Sequence, residues 1–347
     1  IKTPKDDFFD QIVEDANDRA ALRVLPPLTD DRGLSSVDAA EQLGKDGGIE
    51  TLIVFLGANN ALGAVLSLNV AWSQAGASGK DYQLLDKKGV FTVWDPEHFA
   101  VEVAALARRV AAIDAKHVIW ATVPHVTIAP IARGVAKKVR PQSRYFPFYT
   151  RPWINDSAFD PADDPHITEN QARAVDSAID QYNDEIVRTV REGRKSGRDW
   201  YVLEVAGLLD RLAARRYIDD PSARPAWWRP YDLPQALQQL SPVPDSRFFS
   251  SGPGGRTQGG IFSLDGVHPT TVGYGIVAQE FINIMQLAGV PFYYGDGRTP
   301  RQGPVAVDFK RLLALDTLIS DPPRSLASDV GLVGWLDEKL DVFKRLF

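Results

Sequence analysis

The stretch Ser263-Leu264-Asp265-Gly266-Val267-His268-Pro269-Thr270 places a carboxylate three residues before an imidazole. A proline closes it, and an apolar segment opening with Gly273-Tyr274 follows. This spacing is a compact way to build the base half of a nucleophilic triad. The Asp can hold the ring in one tautomer and stabilise the imidazolium formed when it takes a proton. Asp-x-x-His alone is common and is most often a surface loop, so its flanks and its companions elsewhere in the chain decide its value.

One companion lies near residue 55. Thr51-Leu52-Ile53-Val54-Phe55-Leu56 is a continuous apolar, β-branched run, the pattern of a strand buried on both faces. It ends in Gly57-Ala58-Asn59-Asn60. In open parallel sheets ligands bind just beyond the carboxyl ends of strands, so a glycine and a side-chain amide there are well placed for chemistry.

These two blocks together resemble the SGNH/GDSL hydrolases, the esterase and lipase superfamily that carries Asp and His on one loop. The resemblance covers roughly residues 20 to 285. It implies that His268 is the general base, that Asp265 orients it, and that Asn59 donates its amide to an oxyanion. Gly57 and His125 would line the substrate site, His125 because it follows the strand-end Pro124. Asn60 stands where the family usually has Asp. His117-Val118-Ile119-Trp120-Ala121-Thr122-Val123-Pro124 fits a further strand of that family, and Tyr182-Asn183 fits a helix before the strand at Tyr201-Val202-Leu203. The implied fold is a three-layer α/β/α sandwich with a flavodoxin-like parallel sheet. No metal or organic cofactor is implied.

The family's Gly-Asp-Ser-Leu nucleophile block is missing, and so is a Gly-x-Ser-x-Gly elbow. Phe8, Phe9, Ile12, Val13 and Ala16 fall at helical spacing almost at once after Ile1. In the family such a helix follows the nucleophile strand. The resemblance therefore implies a nucleophilic serine upstream of Ile1, on a separate N-terminal segment. The rival expectation is a catalytically inactive SGNH-like binding or scaffold module. Within the chain, Gly33-Leu34-Ser35-Ser36-Val37 is the nearest serine-bearing candidate, but no apolar strand precedes it to aim a hydroxyl. Ser35 or Ser36 reads better as a helix N-cap. By resemblance Gly33 is a second oxyanion donor, and it serves equally as a turn glycine.

The elements that must position these residues alternate. Helices are expected at 5–18, 36–44, around Val103 to Ile113, at 168–193 and at 271–287. Strands are expected at 21–25, 50–56, 117–122 and 200–205. The stripe Ala172, Val175, Ile179, Tyr182, Ile186 and Val190 makes the fourth helix the clearest. Alternation of this kind implies a parallel sheet with helices on both faces. The expected body spans 1–290, with insertions at about 139–165 and 217–262. A helical extension, 291–347, would carry helices at 307–318 and 333–347.

The insertions are rich in aromatics, which would either bind substrate at the mouth of the site or pack as a satellite core. Asp160, Asp163 and Asp164 read as a solvated turn. His98, His117, His125 and His166 have no partner at metal-ligand spacing.

The chain has 347 residues, 44% hydrophobic and 24% charged, ordinary values for a globular protein. A net charge of −6 argues against a nucleic-acid partner. No apolar stretch reaches the ~18 residues of a membrane span. The absence of cysteine excludes disulfides and thiolate metal sites but leaves the compartment open, cytoplasmic or secreted. The expected substrate is a small-molecule, lipid or glycan ester.

Overall fold

The computed structural model describes residues 35–73 and 91–324. Helix α1 (Ser36–Lys45) opens on Ser35, whose hydroxyl accepts from the Asp38 amide while Asp38 reaches back, a reciprocal capping box. Strand β1 (Ile49–Val54) follows, then α2 (Asn59–Leu66), α3 (Pro96–Ala112) and β2 (Ala115–Ala121). Two short antiparallel sheets lie in and beside the insertions. One joins β3 (Arg133–Gly134), β4 (Phe148–Thr150) and β5 (Ile167–Thr168). Helix α4 (Glu169–Lys195), β6 (Trp200–Leu203) and α5 (Val205–Leu212) come next, then the single turn α6 (Gln235–Gln238). The hairpin β7 (Ser250–Gly252) and β8 (Gly255–Gln258) leads to α7 (Thr271–Leu287). Helices α8 (Phe309–Leu315) and α9 (Thr317–Ser320) end the described chain.

The fold is α/β. Strands β1, β2 and β6 form a parallel sheet in that order, with Ile53 opposite Ile119 and Ile119 opposite Tyr201. Parallel pairing needs crossovers, and α3 and α4 supply them. One face of the sheet carries Val118, Trp120 and Trp200 into the main core, beside Val103 of α3 and Ile179 and Ile186 of α4. The other face presents Ile119, Ala121 and Leu203 to Phe281 and Val277 of α7. The central strand β2 is thus covered on both faces, whereas Ile53 of β1 and Phe55 and Leu56 just after it are exposed, against the expectation that this run is buried on both faces. The expected stripe on α4 is buried throughout, from Ala172 to Val190.

Three expectations need correction or completion. The helix expected at 307–318 is broken at Asp316, which is extended and buried. The break lets its carboxylate accept the Val272 amide at 3.0 Å, satisfying an orphan donor at the start of α7. The described part of the C-terminal extension is not separate from the body, because Phe309 shares a core with Leu208, Leu237 and Ile276. In the insertion at 139–165, Tyr145, Phe146 and Tyr149 are buried in the main core rather than exposed. Trp228 is likewise buried, while Trp227 is exposed. Asp160 and Asp164 do close an exposed turn, with Asp164 accepting the Asp160 amide at 2.8 Å. The helix expected at 5–18, the strand at 21–25 and the helix at 333–347 lie outside the described residues, as does Gly33.

A buried ionic cluster ties these layers together. Asp176 sits on the apolar stripe of α4 and is fully buried. It accepts from Arg216 Nη2 at 2.7 Å, from Thr127 Oγ1 at 2.6 Å and from the Tyr145 hydroxyl at 3.0 Å. Arg216 Nη1 also faces Asp210 of α5 at 3.6 Å. Burial alone would raise the Asp176 carboxyl, but Arg216 and His125 hold it below its ordinary value. Removing one partner leaves the other as an uncompensated buried charge. Asp176→Ala is therefore expected to cost about 3–5 kcal/mol in urea denaturation. A loss under ~1 kcal/mol would mean that the cluster is not the tie described here.

Candidate functional site

The residues that follow the ends of all three strands of the main sheet converge on one cavity of about 360 Å³. Phe55, Ala58 and Asn59 come from the end of β1, Pro124 and His125 from β2, and Val205 from β6. The cavity therefore lies at the carboxyl edge of the sheet, where such sheets place their ligands. His268 lines the same cavity from the loop before α7.

That loop is built around Asp265. One carboxylate oxygen accepts from Ser263 Oγ at 2.6 Å, the Val267 amide at 2.8 Å and the His268 amide at 3.0 Å. The other oxygen meets His268 Nδ1 at 2.6 Å. Gly266 makes the tight turn at φ +68, and a Cβ there would fall 2.8 Å from the Ile131 nitrogen. Only glycine fits both the conformation and the space. Thr270 then caps α7 by accepting from Gly273 N at 3.1 Å. Burial pushes the Asp265 carboxyl up, but hydrogen bonds from His268, Ser263 and two amides outweigh it and hold the carboxyl at about 2. The hydrogen bond to Asp265 raises His268 above the ordinary imidazole value, against partial desolvation.

Asn59 opens α2 and is exposed, with its side chain in the same cavity as His268. Gly57 does not line the cavity. It holds φ +118 against Val123 and Phe99, where a Cβ would meet the Val123 methyl at 2.8 Å. Its absent side chain lets the β1–α2 turn close onto the core. The turn after β2 is held from α4, where Asn183 accepts the Val123 amide at 2.6 Å and donates to its carbonyl at 2.9 Å.

His125 backs the cavity wall but is 4% exposed, and both its nitrogens are engaged. Nε2 lies 3.0 Å from Asp180 and Nδ1 3.2 Å from Asp210. Burial would lower its pKa, yet Asp176, Asp180 and Asp210 raise it to about 9. At neutral pH His125 is a held imidazolium. His268, half exposed and bound to Asp265 through Nδ1, is the histidine suited to exchange a proton at this edge.

Ser35 is occupied as the cap of α1, and Ser36 begins that helix. None of the described residues that line the cavity is a serine, threonine or cysteine. Among the described residues no group of three His, Cys, Asp or Glu side chains is placed to hold a metal ion. No helix among them is long and apolar enough to cross a membrane.

The sequence reading missed Asp180 and Asp210 as partners of His125, and the buried pair of Asp176 with Arg216 beside it. One signal was present: Asp176 falls four residues after Ala172 and three before Ile179, inside the apolar stripe. An acid at such a position must find a buried cation. No family model, curated protein or solved structure matches the chain.

The two histidines are separable by pH. Because His125 is raised in the fold, its contribution to stability is fully present below about 6.5 and fades as pH rises through about 9. Urea midpoints measured from pH 6 to 10 should fall over that window, and the fall should be lost in His125→Gln. Ring-proton NMR should place His268 above 6.5 and return it towards 6.5 in Asp265→Asn. An unmoved His268 titration would mean that Asp265 does not hold the ring.

Proposed function

We propose that this chain is the α/β body of a serine-type ester hydrolase resembling the SGNH hydrolases. The observation that carries the reading is the Asp265–His268 pair, 2.6 Å apart, on the same cavity as Asn59. In this reading a serine hydroxyl attacks the ester carbonyl and passes its proton to His268 Nε2. Asp265 keeps the proton of Nδ1 directed at itself and stabilises the imidazolium. The Asn59 amide donates to the developing oxyanion, and by resemblance the Gly33 amide does too. The imidazolium then protonates the leaving alcohol. Water, deprotonated by His268, releases the acid from the acyl-enzyme.

The walls fit an apolar acyl group, since Phe55, Leu62, Leu209, Phe262 and Ile276 all line the cavity. No cofactor enters the mechanism. The nucleophile comes from outside the described residues. Among those residues β1 pairs with β2 alone. A further parallel strand adding along the other edge of β1 would end beside Asn59. The second reading is an inactive binding module, favoured by the lack of a serine, threonine or cysteine among the described residues that line the cavity.

The test uses the full-length gene product and a fluorophosphonate probe. A labelled serine outside residues 35–73 and 91–324 is expected, with hydrolysis of short p-nitrophenyl esters. His268→Ala should lower turnover by ~1,000-fold or more. Asn59→Ala should lower it by ~100-fold or more. An unlabelled, inert protein would favour the binding module, and unchanged turnover in His268→Ala would overturn the assignment of the base.

A further inference from the structure

A second, larger cavity of about 500 Å³ lies on the far side of the turn at 126–129. Thr127 and Ile128 line this cavity, whereas Val126 and Ala129 line the one that holds His268. Five arginines line it: Arg133, Arg144, Arg215, Arg216 and Arg247. No aspartate or glutamate is among its lining residues.

Three of these guanidiniums are matched by carboxylates set behind the wall. Arg133 pairs with Asp156, Arg216 with Asp176 and Arg247 with Asp219. Arg144 and Arg215 have no carboxylate within ion-pair distance among the described residues. Arg144 Nε donates to the Tyr145 hydroxyl at 3.0 Å, a neutral acceptor. Arg215 Nη2 donates to the Gly134 carbonyl at 2.7 Å, and its Nε is buried without an acceptor. Arginine does not shed its proton in proteins, so these two charges persist. Burial and the charge of Arg133 disfavour the Arg215 cation, and the more distant Asp156 and Asp219 offset this only in part. An oxyanion between the two guanidiniums would relieve that crowding.

The guanidinium fork matches the paired oxygens of carboxylate or phosphate. The wall also carries five aromatic residues, Phe146, Tyr149, Trp153, Phe248 and Phe249, among small and polar ones. A cavity this size also exceeds what a bare inorganic ion fills, a water taking about 30 Å³ of liquid volume. We propose that this cavity binds a small ring-bearing oxyanion, a phosphate ester or carboxylate, with its head between Arg144 and Arg215 and its ring against the aromatic wall. The site does not use Asn59 or His268, so its failure would leave the hydrolase reading untouched.

Calorimetric titration of the purified chain at low salt tests this with four probes: phenyl phosphate, glucose 6-phosphate, glucuronate and neutral glucose. At least one anion should bind with a Kd below about 1 mM, and glucose should not. A preference for the phosphates or for glucuronate would identify the head group. Arg144→Gln and Arg215→Gln should each weaken binding by at least ~10-fold, while exposed Arg301→Gln leaves it unchanged. Circular dichroism confirms that each variant is folded, and where one is not, the other carries the test. No binding of any anion at 10-fold higher concentration, or equal binding in both folded variants, would overturn the proposal.

Discussion

The contact between Asp176 and Arg216 is the constraint from which the carboxyl edge of this sheet is built. Both groups are essentially out of water, and an isolated buried charge is costly enough that each requires the other. Around them four groups interlock, with Asp176 and Asp210 facing Arg216 and His125. These four groups come from α4, from α5, from the turn after α5 and from the turn after β2. The cluster therefore fixes the mutual placement of segments that are distant in sequence. Apolar packing alone would tolerate small slides between α4 and the sheet. A set of directional, charge-assisted contacts does not.

That constraint also sorts the two histidines at the edge. His125 is held from both sides by carboxylates and keeps its proton, so it serves as a fixed positive charge. His268 meets one carboxylate through Nδ1 on a loop with its own internal support. The same residue type thus becomes a structural cation in one place and a group suited to proton exchange in the other. Burial and the number of acid partners make the difference, not proximity to the cavity, since both histidines line it.

The legible parts of this chain were those governed by local rules. The stripe on α4, the cap at Ser35 and the turn at Asp265–His268 depend on residues within one or two helical turns of each other. The continuous apolar runs at β1 and β2 likewise announced strands, though only β2 is covered on both faces. Long-range satisfaction of buried polar groups was not legible in the same way. Asp176 could be flagged as an acid on an apolar face, but nothing local says that its partner lies forty residues on. The break at Asp316 is of the same kind. Its periodicity reads as one continuous helix, and only the orphan Val272 amide of another helix explains the interruption. Gly57 illustrates the reverse case, a glycine placed beside a candidate site for reasons of packing.

One thin partition separates two cavities of opposite character. The turn at 126–129 and the loop at 263–268 meet where Ile131 donates to the Gly266 carbonyl at 3.1 Å. Phe248 packs against Gly266 on one side and lines the arginine cavity on the other. No guanidinium is among the described residues that line the apolar cavity, and the buried carboxylates hold one of the nearby ones on the other face. That one is Arg216, whose head reaches Asp176 and Thr127 from the far side of the turn. An apolar pocket and a cationic one can thus share a wall, provided that the wall contains its own counter-charges. The buried ionic cluster is that wall's interior, which is why its loss would disturb both cavities at once.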